Sequence, residues 1–204
     1  MEIRKVEVEM QDKLSPQERA TLLSLARQAI SNAFSDQPLP LDLESLPASL
    51  MQPGATFVTL TRHGELRGCI GTLEAYQPLA VDVCEHAIGA AFQDYRFLPV
   101  QFGELPELEI EISRLTPPHP LNYQSSEELL QRLHPGTDGV ILRDGMRRAT
   151  FLPQVWDKLP DPVDFLEHLC NKMGANPDLW RHKHLEIYTY QVEEFHEEKN
   201  EAEA

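Results

Sequence analysis

The chain has 204 residues, 41% hydrophobic and 25% charged, a balance that excludes wholesale disorder and suits one large domain or two small ones. No apolar run approaches the roughly 20 residues of a bilayer span, and nothing apolar follows the charged start Met1–Glu7, so a soluble protein that stays in the cytoplasm is expected. The formal net charge of −15 argues against nucleic acid as a partner, because phosphates are neutralised by Lys and Arg.

Residues 1–14 read as a lead into the first element. Ser15-Pro16-Gln17-Glu18 carries a helix start, with Ser15 as N-cap, Pro16 at the first helical position and Glu18 completing a capping box. Leu22, Leu25, Ala26, Ala29, Ile30 and Ala33 then form one apolar face. Gln37 to Gly54 holds four prolines and no clean period, which predicts a long ordered loop. A hairpin follows, Ala55–Arg62 and Glu65–Thr72 around the turn His63-Gly64.

Pro78 opens a second helix, with Leu79, Val83, Ala87 and Ala90 as its stripe, ending near Phe92. Glu107–Leu115 alternates Leu and Ile with Glu, the pattern of a half-buried strand. Ser125 or Ser126 caps a short helix to about Leu133. Asp144-Gly145 joins Gly139–Arg143 to Met146–Leu152 and predicts a type I′ hairpin turn. Asp161-Pro162 begins another helix, closed near Gly174, and Leu185–Phe195 reads as one strand. Strands in hairpins with helices between groups predict an α+β fold, a mainly antiparallel sheet flanked by helices. From Glu193 to the end six Glu stand against Lys199, a contribution of −5 that leaves −10 on the body. This end is expected to be solvated, with 196–204 a disordered acidic tail.

Cys69, Cys84 and Cys170 are odd in number and irregularly spaced, as in a protein of the reducing cytosol without disulfides. The segment Leu66-Arg67-Gly68-Cys69-Ile70-Gly71 is the candidate site. As a regular strand it turns Leu66 and Ile70 to the core and Arg67 and Cys69 to the opposite face. A guanidinium beside the thiol would favour the thiolate, so Cys69 is the candidate nucleophile. The glycines around Cys69 suggest a bulge, a bend or another group close to the backbone, and Arg67 with the backbone at Gly68 and Gly71 would hold a small anion. Inert packing is the competing role for such a cysteine.

These residues carry a resemblance. Leu66–Thr72, Pro78-Leu79, Ala90–Asp94, Arg96-Phe97, Glu109–Ser113, Pro135–Leu142 and Arg148–Trp156 are similar, in order, to the AMMECR domain family, whose bacterial and archaeal members are called AmmeMemoRadiSam system protein A. The likeness spans about 15–195 as a single AMMECR domain. It implies an α+β fold with a larger and a smaller subdomain, a cleft between them, and the motif near their junction. It also implies a Memo-like protein and a radical-SAM protein as partners, and no settled activity or cofactor.

Elsewhere, Arg148 and Thr150 share a face of the second hairpin and are candidate ligand-binding residues, with Arg143 and Arg147 as further positive charge. A solvated edge explains the same charges. Asp94 and Arg96 are expected to form an ion pair, or to present a carboxylate to the motif. His86, on the inward stripe, is expected to be a satisfied, partly buried histidine rather than a base. His182 and His184 are two apart, but nothing nearby completes a set of ligands, so no metal is expected. Two functions compete: an enzyme or enzyme component using Cys69 with Arg67 on a small anionic substrate, and a non-catalytic ligand- or protein-binding adaptor.

Overall fold

The computed structural model describes residues 13–35, 37–38, 41–42 and 45–197. Helix α1 (Pro16–Ala33) starts as expected: the Ser15 side chain takes the Glu18 N–H, and the Glu18 carboxylate returns to the Ser15 backbone. The hairpin strands are β1 (Pro53–Arg62) and β2 (Glu65–Gly71). His63 and Gly64 both have positive φ in their turn, the condition that lets a two-residue turn follow the twist of its strands. A two-residue strand β3 (Gln77–Pro78) leads into α2 (Leu79–Phe92), and β4 (Leu108–Leu115) follows.

Next come β5 (His119–Pro120), α3 (Ser126–Arg132), β6 (Gly139–Asp144), β7 (Arg147–Phe151), α4 (Pro162–Lys172), α5 (Leu179–His182), β8 (Glu186–Tyr190) and β9 (Val192–His196). One sheet runs β2-β1-β4-β9 with β3 on β1, and the other runs β5-β8-β6-β7. The pairings of β1 with β2, β3 and β4, and of β8 and β6 with their neighbours, are antiparallel. The α+β expectation therefore stands.

The chain forms two compact units. The first comprises Met1–Leu115 and Glu193–Ala204, the second Thr116–Val192, and each has its own core. In the first, Leu22, Ala26 and Ile30 of α1 and Val83, Ala87 and Ala90 of α2 meet Val58, Leu60, Ile110 and Ile112 of the sheet. In the second, Trp156 stacks on Phe165 at 3.7 Å, with Val140, Leu142, Leu166 and Leu169 around them.

Three expectations are corrected. The final strand is two strands: Glu186–Tyr190 belongs to the second sheet and Val192–His196 to the first. The end of the chain is therefore structured through Glu197 rather than frayed. Glu193 is buried, takes Arg19 at 2.7 Å and Arg114 at 3.1 Å, and accepts the Leu14 N–H. Glu197 pairs with Arg27 at 2.5 Å; 198–204 and 1–12 lie outside the described residues. The second hairpin turns on Gly145-Met146, because Asp144 still pairs with Arg147. Of the two, only Gly145 has positive φ, as in a type II′ turn.

Candidate functional site

The motif lies on β2, the edge strand of the first sheet. Its register decides where each side chain goes. Leu60 faces Gly68 but Thr61 faces Leu66, so Arg67 is an extra residue, a β-bulge. An added residue exchanges the two faces of everything beyond it. Leu66, expected in the core, is instead 43% exposed. Arg67, expected beside Cys69 on a regular strand, is the residue that the bulge adds.

Arg67 turns to a carboxylate of its own chain. Its Nε and Nη2 each donate to Glu104 at 3.0 Å, and its Nη1 donates to the Leu98 carbonyl at 2.9 Å. Arg62 adds a bond at 3.0 Å, and the Gln101 N–H one at 2.7 Å. The Arg67 hydrogen bonds, then that of Gln101, hold the Glu104 carboxyl down at about 2. Both side chains are about 15% exposed, so removing either partner would strand a largely buried charge, at about 3 kcal/mol.

The glycines have equally specific reasons. A Cβ on Gly68 would lie 2.1 Å from the Ala90 carbonyl oxygen of α2, so only glycine lets helix and strand meet there. At Gly71 a Cβ would sit 2.4 Å from the Thr56 carbonyl and 2.5 Å from the Phe57 ring.

The backbone of Cys69 is held from outside the strand. Its N–H donates to Asp94 Oδ2 at 2.9 Å, and its carbonyl accepts from Arg96 Nη2 at 3.3 Å. Asp94 and Arg96 are themselves paired at 2.6 Å, so together they take the place of a further strand and cap the edge. Both expectations for these two residues are met: they form an ion pair, and its carboxylate faces the motif. The bonds from Arg96 and from the Cys69 N–H hold the Asp94 carboxyl far below the usual carboxylate range.

Outward-pointing backbone groups make Cys69 and Thr59 a non-hydrogen-bonded pair, the closer kind. The Thr59 hydroxyl accordingly donates to the Cys69 Sγ at 3.3 Å. The cation associated with Cys69 is thus Arg96. Its guanidinium is held above its ordinary value first by Asp94, and in smaller part by the Cys69 thiol and Tyr95. Cys69 is half-buried, whereas Cys84 and Cys170 are buried. Burial pushes the Cys84 thiol up to about 12 and raises that of Cys170.

The chain matches the AMMECR1 family model over residues 23–195. The chain belongs to the AMMECR1 family. It is 38% identical over 194 residues to a protein of Thermofilum pendens, covering 90% of this chain and 91% of that one. A protein of Methanothermobacter thermautotrophicus is 38% identical over 186 residues, with 91% and 97% covered. The solved structure of an uncharacterised protein from Pyrococcus horikoshii is similar at a TM-score of 0.69, with 32% identity over 91% of this chain and 94% of that one. The AMMECR1 relatives named here carry no activity in their names.

The other candidates lie in the second unit of this AMMECR1 chain. Arg148 on β7 faces Arg143 across the hairpin, and Arg143 stacks on Tyr188 at 5.1 Å. Thr150 shares a hydrogen bond with the Tyr190 hydroxyl at 3.1 Å, and its carbonyl accepts from Lys172 at 2.9 Å. Arg147 is paired with Asp144. His182 meets Asp178 at 3.3 Å, while His184 stacks on Tyr123 at 4.4 Å, so these two imidazoles serve separate contacts.

The bulge and the close approach at Gly68 agree with the expectation from the glycines around Cys69; sequence reasoning missed that Arg67 is the extra residue, Glu104 as its partner, and Thr59. The Thr59 contact was legible only in the period-two pairing of β1 with β2. Glu104, 37 positions from Arg67, left no local signal.

Proposed function

We propose that this chain docks a partner protein on the segment Tyr95–Phe102 and the adjoining bulge of β2, a binding role in which Cys69 does no chemistry. One observation carries the reading. Tyr95, Leu98 and Phe102 are 95%, 84% and 67% exposed, although Arg67 and Arg96 tie their segment to the edge strand. Large apolar side chains offered by a rigid backbone are the makings of interface hot spots. Arg67 and Arg96 each have a carboxylate of their own, so the surface offers apolar area without free charge.

The first unit has ten Lys and Arg against 23 Asp and Glu, a net −13. That charge steers a basic partner in and works against self-association and anionic membranes. The Memo-like and radical-SAM proteins implied by the resemblance are the first to test. In calorimetric titrations with a purified Memo-like protein, Tyr95→Asp and Leu98→Asp should weaken binding more than about tenfold, and Cys69→Ser should leave it unchanged. Loss of binding in Cys69→Ser alone would overturn the proposal.

A second reading keeps Cys69 as a nucleophile toward a small anionic substrate. The Thr59 hydroxyl on its sulfur favours it. Arg96 then takes the role expected of Arg67, whose guanidinium is committed to Glu104.

A further inference from the structure

The face of α2 turned to the sheet is apolar except at Asp82 and His86, both buried. Asp82 is wholly buried, and a carboxylate there is costly unless it is well bonded. Its Oδ2 accepts the Thr56 hydroxyl at 2.7 Å and lies 3.1 Å from His86 Nδ1. Its Oδ1 is 3.4 Å from the Gln77 side-chain nitrogen. A carboxylate can only accept, so Nδ1 carries the ring proton and the lone pair of the neutral imidazole sits on Nε2.

Nε2 has no hydrogen-bond partner among the described residues, and the buried side-chain atoms without one are Arg143 Nε and Trp180 Nε1. Nε2 is therefore not fully enclosed, and 10% of the His86 side chain is exposed. His86, expected to be a satisfied, partly buried histidine, has its hydrogen-bond partners at Nδ1. A buried carboxylate that fixes the tautomer and leaves the far nitrogen free is how proteins prepare an imidazole for proton transfer.

We propose that His86 is a general base, oriented by Asp82 and Thr56, for a water or alcohol attacking a small carbonyl ester. Nε2 takes the proton as the new C–O bond forms. The ester C–O bond then breaks, and the leaving oxygen departs with its electron pair and receives that proton. The imidazolium in between has Asp82 Oδ2 3.1 Å away to offset its charge. The site is independent of the docking surface and of the Cys69 sulfur, which lies with Thr59 on the opposite face of β1 from Thr56.

The probe is p-nitrophenyl acetate with the full chain, followed as nitrophenolate release over many turnovers. His86→Gln should lower the protein-dependent rate by about a hundredfold, and Asp82→Asn should also lower it. The wild-type rate should fall in heavy water. A folded His86→Gln protein as active as wild type, or a rate no greater than that of buffer, would overturn the assignment. Should the variants not fold, diethyl pyrocarbonate decides on the wild type: carbethoxylation of His86 at Nε2 supports the base, and an untouched His86 overturns it.

Discussion

The two units solve the burial problem in opposite ways. The first, at net −13, fastens its sheet with ion pairs: Arg67 with Glu104, Arg96 with Asp94, Arg27 with Glu197, and Arg19 and Arg114 with Glu193. The second has eight Lys and Arg against ten Asp and Glu, a net −2, and holds itself around the stacked pair Trp156 and Phe165. Aromatic burial is non-directional and tolerates adjustment. Paired charges demand one geometry, and leaving one unpaired is costly. The motif sits in the unit whose backbone is specified most narrowly, and four of its residues, Arg67, Gly68, the Cys69 backbone and Gly71, have structural reasons to be what they are.

That contrast can be broken by substitution. Gly68→Ala drives a Cβ into the Ala90 backbone oxygen, which cannot step aside. About 3 kcal/mol or more should be lost, or the fold itself, as read from urea unfolding. Gly139→Ala in the second unit meets the Tyr190 ring at 2.4 Å. A side chain can shift, so about 1–2 kcal/mol is expected there. Equal losses would remove the distinction between the two backbones.

Next in size is Glu104→Gln, which strands Arg67 and should cost about 3 kcal/mol. Arg62→Met, at the more exposed end of the same cluster, should cost clearly less, because solvent screens that pair.

Acid should act on the first unit before the second. The Glu104 carboxyl is lowered from 4.5 to about 2, so its stabilisation is complete above 4.5 and is lost as pH falls toward 2. Asp94 is lowered in the same direction. Urea midpoints measured from pH 5 to pH 2.5 should therefore fall, and Arg67→Met should flatten that fall. An unchanged slope in Arg67→Met would mean that the pair contributes nothing to acid sensitivity.

The smallest effect expected is on thiol chemistry. Cys69, half-buried, should take iodoacetamide ahead of Cys84 and Cys170 in native protein at pH 7, with all three reacting in urea, as read by intact mass. Cys69 reacting no faster than the other two would remove the nucleophile reading and leave the binding module.

The elements, their caps and the two hairpins were legible in the chain itself, because they rest on local rules: a capping box four residues long, a stripe every 3.6 residues, and turns that need positive φ. The family was legible too, from ordered short motifs. The role of Arg67 was not. A strand read at period two puts it beside Cys69, and one bulged residue puts it with Glu104 instead. The glycines around Cys69 suggest a bulge, but which residue is the extra one is decided only in the register between two strands. The split of Leu185–Phe195 between two sheets and the burial of Glu193 depended likewise on partners far away in the chain. Local chemistry determined what the pieces are. Which side chains meet was decided by pairing across long separations, where hydrogen-bond register and the fit of a missing Cβ outweigh any pattern along the sequence.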